Sequence, residues 1–461
     1  MTNRFVLLVA VACITGLNGG VATADEGAAV ADATAGVERA LADFLAKEDS
    51  SYRWVKVRDG KIDSSEFAEL ILTSQTWKET VWKHRLFLIL PASAKEAKQG
   101  VLVIAGGDWN EKYADPDYDE ALPGEARLFA QIAEQLKSPV AVLLNVPQQP
   151  MFDGLVEDEI ISLTLDKYFQ TSDSDWPLLL PMVKSAVRGM DATQEFCQKE
   201  WSLSIESFTV TGASKRGWTT WLVGATDERV TAIAPMVIDT LNMNAQMQHQ
   251  IDAWGAFSEE IQDYTDRDIQ KRMNTPIGKS LQQIIDPFAY REFLTQPKLI
   301  IIGTNDHYWP LDALNLYWEE LEGPKYILYV PNNQHGLRDF PRLLGSLAAV
   351  HAQARGSTPL PKLEWSFEEG KSVTLRIESD RPPKKVQVWL ANSDSRDFRQ
   401  SSWSPHEAQR SDDAFIYHLD TPVSGYAAIF GEAVYEEGGA PFYLSTNVRI
   451  VSSAEIAETK E

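Results

Sequence analysis

The chain has 461 residues, enough for one large domain and a smaller one. Apolar residues make up 44% and charged residues 24%, the balance of a chain with a sizeable core, which excludes a disordered one. With 66 acidic against 43 basic residues the net charge is −23, a field that repels phosphate backbones and anionic lipid surfaces; no nucleic-acid partner is expected.

Arg4 precedes an apolar run over residues 5–14, and Ala22-Thr23-Ala24 offers the small-x-small site of signal peptidase just before Asp25-Glu26. The run is too short to cross a bilayer as a permanent helix. The expectation is a signal peptide over 1–24, cleavage after Ala24, and a secreted or periplasmic protein without stable membrane insertion. Cys13 opens the alternative of a lipid anchor, but Ala10 stands where a lipoprotein signal has Leu or Val. Removal of this segment leaves Cys197 as the only cysteine, which excludes an intrachain disulfide and a cysteine-based metal cluster. Cys197 itself reads as a small buried hydrophobe.

A short amphipathic helix follows, with Val37, Leu41, Phe44 and Leu45 on one face. Strands then alternate with helices. Residues 82–90 end as a strand at Pro91, residues 100–105 form an apolar run stopped by Gly106-Gly107, and residues 126–136 read as a helix. Apolar runs over 139–144, 208–211, 232–238, 298–302 and 326–330 complete the series. Such runs suit strands buried on both faces, so the prediction is an α/β fold, an open and mostly parallel sheet with helices on both faces. From about Pro359 short alternating runs (372–377, 385–390, 427–430) separated by turn residues predict a C-terminal antiparallel β-sandwich. The expected division is an α/β domain over 25–356, a hinge at 356–361, an accessory sandwich over 357–452 that supplies no catalytic residue, and a disordered tail over 453–461.

The stretch Phe208-Thr-Val-Thr-Gly-Ala-Ser-Lys-Arg-Gly-Trp218 runs a β-branched strand through Gly212 into Ser214 and then a helix. This is the layout of a nucleophile elbow, whose tight turn lifts the serine above the sheet and leaves no room for a side chain at the preceding glycine. The pattern departs from G-x-S-x-G: Arg216 holds the second glycine's place and Gly217 comes one later. The bland alternative is a serine that only caps a buried helix. A nucleophilic serine needs a base and an orienting acid, which in such folds follow it in the order acid, histidine. Asp306 and His335 stand directly beyond the strands at 298–302 and 326–330, where an open α/β sheet places its working residues.

The other histidines fit less well. His84 precedes the serine, His406 and His418 belong to the C-terminal region, and His249 lies in a polar helix-like run. His307 adjoins Asp306, and neighbouring side chains in an extended loop point apart, which leaves it a substrate-side role or none. Asp239, after the strand that follows the elbow, is the runner-up acid. Two N–H donors must meet the oxyanion of a serine attack. One is expected from Lys215, the other from Gly107 or Asp108, between which the sequence does not choose. Gly106-Gly107 lacks the Gly-Lys-Ser/Thr ending of a phosphate loop, and no histidine spacing suits a metal, so neither metal nor cofactor is expected.

The sequence resembles the PhoPQ-activated pathogenicity-related family, which includes autocrine proliferation repressor-like proteins. The resemblance runs from Tyr52-Arg-Trp54 to the β-region, and rests on Gly212-Ala-Ser-Lys-Arg-Gly-Trp218, Asp286-Pro-Phe-Ala-Tyr290, the stretch 297–306, and Tyr308-Trp309. It implies an α/β-hydrolase-like fold; the elbow is also similar to those of secreted serine aminopeptidases and carbohydrate esterases.

The expected function is a secreted serine hydrolase acting through an acyl-enzyme on a small ester or peptide substrate, with Ser214, Asp306 and His335 as its triad. The alternative is a secreted binding or signalling protein that retains the fold without turnover. Trp109, Tyr308 and Trp309 are assigned to substrate binding, with Trp176 and Trp254 as further aromatic candidates for the cleft wall. Asp115, Asp117 and Asp119 could hold a peptide's free amine or form a solvated loop, and residues 151–176 interrupt the alternation as a lid would.

Overall fold

The computed structural model describes residues 39–115, 122, 124–370 and 372–452. The expected leader and tail, Val37, Asp117 and Asp119 lie outside the described residues.

Three strands open the chain as an antiparallel meander: β1 (Arg53–Ile62), β2 (Ser65–Trp77) and β3 (Thr80–Leu90). Beyond them come β4 (Gln99–Ile104), β5 (Val140–Leu143), β6 (Ser207–Ala213), β7 (Val230–Met236), β8 (Lys298–Gly303) and β9 (Lys325–Val330). They align in the order β3-β5-β4-β6-β7-β8-β9, all parallel after β3. Each apolar run expected as a strand from residue 82 to 330 is one. β1 and β2 went unread: β1 has one mostly exposed edge face, and β2 mixes Glu66, Glu69 and Gln75 into its apolar run.

The helices are α1 (Ala40–Ala46), α2 (Ala126–Leu136), α3 (Glu157–Thr171), α4 (Leu179–Glu200), α5 (Lys215–Thr226), α6 (Met243–Trp254), α7 (Gln262–Thr265), α8 (Ile269–Arg272), α9 (Pro276–Ile285) and α10 (Phe340–Ala354). The strand period of two sorts the core. Val101 and Val140 pack with Ala130, Ala133 and Leu136 of α2, while Leu102, Ile104 and Leu143 turn to the other face, against α4 and α5. None of these helices is long and apolar enough to cross a membrane. Cys197 is buried in α4, where burial pushes its thiol up to about 12.

The C-terminal region is antiparallel: β10 (Leu363–Glu369), β11 (Ser372–Ser379), β12 (Lys385–Ser393), β13 (Ser404–Glu407), β14 (Gln409–Ser411), β15 (Ala414–Asp420), β16 (Tyr426–Glu437), β17 (Ala440–Ser445) and β18 (Arg449–Ser452). One layer is a separate sheet, β10-β11-β15-β14. The other, β17-β16-β12-β13, continues the main sheet, because β17 bridges to β9 at Ser445 and Ile327. Leu375 and Ile377 of the first layer share a core with Val386, Val388 and Ile429 of the second.

A buried histidine ties the layers of the main domain. His351 of α10 meets Ser138 Oγ at 2.7 Å through Nε2 and Thr209 Oγ1 at 2.9 Å through Nδ1. Burial lowers its pKa to about 3 from the ordinary value near 6.5. The unfolded chain therefore takes up a proton below pH 6.5 that the fold refuses, so the stability His351 contributes is full above pH 6.5 and is lost as pH falls toward 3. His351→Gln is expected to flatten the decline of the melting temperature between pH 7 and pH 4; an unchanged slope would refute this account.

Candidate active site

β6 ends in a turn that Gly212 makes possible: a Cβ there would lie 2.7 Å from the Arg216 carbonyl oxygen. Ser214 follows with φ 58° and ψ −129°, a strained conformation for any residue other than glycine. Its N–H donates to the Met236 carbonyl at 2.9 Å, and its own carbonyl accepts from Trp218 in the first turn of α5. Although Ser214 occupies the cap position of α5, its side chain makes no capping bond. The hydroxyl is thus not spent on the helix. Gly217 lets α5 sit close, since a Cβ there would meet the Met236 carbonyl at 2.9 Å.

The acid and the base come from the next two loops but one. Gly303 ends β8 against the loop after β9, where a Cβ would lie 2.5 Å from the Asn333 carbonyl. This close approach brings Asp306 to His335: Nδ1 lies 2.9 Å from Oδ2 and 3.1 Å from Oδ1. Asp306 Oδ1 also accepts from the Tyr308 N–H at 2.9 Å, and the Tyr308 ring lies over the imidazole with centroids 4.1 Å apart. Asp306 is buried and the His335 side chain is 10% exposed. His335 Nε2 is buried without a hydrogen-bond partner. Ser214 and His335 line the same cavity.

Asp239 is buried beside this group but serves another partner, accepting from the Tyr317 hydroxyl at 2.6 Å. Its second oxygen has no partner. Burial, helped by the charges of Asp306 and Asp312 and opposed by the Tyr317 bond, pushes its pKa up to about 7.

Arg216 resolves the departure from the usual elbow pattern. Its guanidinium runs over Gly106, donates to the Val146 carbonyl at 2.5 Å, and grips Glu157 with both terminal nitrogens at 2.8 and 2.7 Å. Lys215 Nζ joins at 2.8 Å from Glu157 and 3.0 Å from Asp158. Burial opposes ionisation of Glu157, but the two cations hold it well below the carboxylate range. The first turn behind the serine is thus braced by two buried cations against two carboxylates. A Cβ on Gly106 would fall into the guanidinium. Gly106→Ala is expected to cost about 3 kcal/mol, read as a lowered denaturation midpoint, and less when Arg216→Ala is present in the same chain. Simple additivity of the two losses would refute the coupling.

At the end of β4, Gly107 has φ 107°. The Gly106 carbonyl accepts from the Asn145 N–H at 3.0 Å, and the Gly107 carbonyl from the Asn145 carboxamide at 3.3 Å. The N–H groups of Gly107 and Asp108, across those two peptides, are turned the opposite way. Neither residue lines the cavity that holds Ser214, whereas Lys215 does.

That cavity opens to solvent and has a volume of about 80 Å³. Tyr308 and Trp309 line it as expected, but Trp109 does not: its ring packs edge-on against Tyr113 at 5.7 Å and its indole N–H donates to Glu111. Trp176 packs with Trp77 and Phe152. Trp254 stands under the Arg399 guanidinium at 4.2 Å. His249 is paired with Asp312 at 2.7 Å, and His307 stands 4.0 Å from Glu260. From the segment 151–176 only Asp158 and Leu165 reach the cavity. Most of its wall comes from the insert between β7 and β8, which sequence reading missed. The signal was available: more than 60 residues separate the two strands, far beyond a simple crossover. Among the described residues no cluster of His, Cys, Asp and Glu could hold a metal.

A sheet in which β6 turns at a strained serine into α5, with an acid and a histidine on the loops after β8 and β9, defines an α/β-hydrolase-type protein. The chain belongs to the PhoPQ-activated pathogenicity-related protein family, whose model matches residues 41–399. Autocrine proliferation repressor protein A of Dictyostelium discoideum is 31% identical to it over 432 residues, 86% of this chain and 85% of that protein. Acetyl xylan esterase 1 from a Thermoanaerobacterium species matches 68% of this chain and 94% of its own at 14% identity and a TM-score of 0.46. Glucuronoyl esterase from Solibacter usitatus matches 69% and 92% at 14% identity and a TM-score of 0.40. These likenesses to solved structures carry nothing about substrate.

Proposed function

We propose that the protein is a serine hydrolase that cleaves a small ester or peptide substrate through an acyl-enzyme. The observation that carries this reading is a pair of unspent groups in one cavity: the Ser214 hydroxyl, which caps nothing, and His335 Nε2, which is buried without a partner. In the reaction His335 Nε2 takes the Ser214 proton as Oγ attacks the carbonyl carbon. Asp306 holds the Nδ1–H and stabilises the imidazolium that forms. The Lys215 N–H receives the oxyanion together with an N–H of Gly107 or Asp108. The imidazolium then protonates the leaving group, and water releases the acyl group by the same steps in reverse. Ester cleavage is the first choice, because Asp158, the carboxylate on the described cavity wall, is already held by Lys215 and Tyr264 and is not free to take a peptide's amine. The reaction is assigned to the secreted or periplasmic space on the strength of the leader over 1–24.

The test is labelling of the full chain by a fluorophosphonate, followed by a panel of acyl esters, acetylated sugars and aminoacyl-coumarin peptides. The expected result is stoichiometric labelling at Ser214 and turnover confined to one class. A folded protein that takes no label and turns over nothing would support the second reading, a secreted binding or signalling protein. That reading is favoured by the name of the Dictyostelium relative, a repressor of proliferation.

A further inference from the structure

The cavity beside Ser214 has an unusual lining for a site with so many charges near it. Met243, Ile261, Ile269 and Met273 from the β7–β8 insert face it, with Leu165 of α3. Its two charged residues are already satisfied: Lys215 Nζ pairs with one Asp158 oxygen at 3.0 Å, and the Tyr264 hydroxyl donates to the other at 2.8 Å. No free counter-charge is left for an ionic group, and burying one unpaired in such a lining is costly. Beside the catalytic pair, two buried polar groups on its wall have no partner, the Trp309 indole N–H and the Gln270 carboxamide oxygen, and only the second is an acceptor. Gln270 as a whole is 8% exposed. A buried carboxamide is normally hydrogen-bonded. The volume of about 80 Å³ is roughly half that of an engineered apolar cavity that admits benzene.

We propose that this cavity is the specificity pocket and takes a short, uncharged, apolar group of about four carbons carrying one hydroxyl or amide N–H, which Gln270 reads. This rests on Ser214 being the nucleophile. The same chemistry could be presented by the acyl half or the alcohol half of an ester, and the two halves can be told apart. Methionines line the pocket with flexible side chains, so truncating one should lengthen what fits rather than abolish binding.

The experiment measures kcat/KM of the full chain on two series. The first holds p-nitrophenol constant and varies the acyl group through acetyl, butyryl, 3-hydroxybutyryl and octanoyl. The second holds acetyl constant and varies the alcohol through ethanol, butanol, 1,3-butanediol and octanol. In the series whose variable half enters the pocket, the four-carbon members should exceed the shorter and longer ones by about tenfold, with the hydroxylated one best. Gln270→Leu should reverse the preference for the hydroxylated over the plain four-carbon substrate, again by about tenfold. Gln270→Met, closer in length, supplies the same ratio should the Leu variant melt early. Met243→Ala should move the optimum toward octyl chains. Turnover with no length optimum in either series, or an unchanged hydroxyl preference in the Gln270 variants, overturns the proposal while leaving the serine hydrolase intact. So does a wild type that takes the fluorophosphonate but cleaves neither series. Absence of both label and turnover removes the hydrolase reading itself, and the pocket assignment with it.

Discussion

Ser214→Ala is expected to lower kcat by about six orders of magnitude, the loss typical when one member of a serine triad is removed. His335→Ala should cost a similar factor, and the double variant little more, because the two act as one unit. Neither loss should track stability. Ser214 holds φ 58° whether its side chain is Ser or Ala, so the melting temperature of Ser214→Ala should stay close to wild type. Ser214→Gly should melt higher by the equivalent of about 1 kcal/mol, because glycine adopts that backbone without strain. Turnover that survives Ser214→Ala, or a glycine variant that melts lower than alanine, would refute the elbow as the seat of both strain and chemistry.

The second large effect separates two acids. Asp306→Asn should reduce kcat by about four orders of magnitude with KM nearly unchanged, because an amide opposite Nδ1 favours the wrong imidazole tautomer. Asp239→Asn should reduce it by less than about tenfold, since Asp239 bonds Tyr317 and not His335. The Asp239 variant should instead alter stability against pH. The folded pKa of about 7 is raised above the ordinary value near 3.8, so the fold binds a proton that the unfolded chain releases. The favourable contribution is complete below pH 3.8 and is lost as pH rises through 7, on the order of 4 kcal/mol in all. Asn cannot ionise, so the melting temperature of the variant relative to wild type should rise between pH 5 and pH 8. A larger kinetic loss at Asp239 than at Asp306 would exchange their roles.

What was legible in the sequence follows from what each residue needs locally. The parallel strands could be read because both faces are covered by helices, so the runs at β4, β5 and β8 carry almost no polar residue. The elbow could be read because Gly212 is demanded by a backbone contact within five residues. Asp306 and His335 could be named because strand ends are visible even where the loops are not. The cavity wall was hidden for the opposite reason. α7 and α8 are one turn each, too short to show a helical period, and their apolar residues face a cleft that exists only once the insert has folded back. Trp109 is an aromatic candidate for the cleft wall by residue type, but its indole N–H is bound to Glu111, two residues away, and its ring packs on Tyr113. Arg216 was legible as an anomaly and not as a solution, since its partners Glu157 and Gly106 lie about 60 and 110 positions away.

The bridge from β9 to β17 makes the far layer a mooring for the chemistry. Asn305, the neighbour of Asp306, gives its carboxamide to the carbonyls of Phe398, Arg399 and Ser401, and Asn332, three residues before His335, gives its own to Trp403. A chain stopped at Gly356 would therefore lose the anchorage of both loops at once, and would bare β9 as an edge rich in Ile327, Leu328, Tyr329 and Val330. Such an edge recruits strands from other molecules. A nick in the exposed residues 356–359 is a different matter, because the sheet would continue to hold the two fragments in register. Severed at that link, the protein should still migrate as one particle and still turn over substrate, whereas the amino-terminal piece made alone should precipitate.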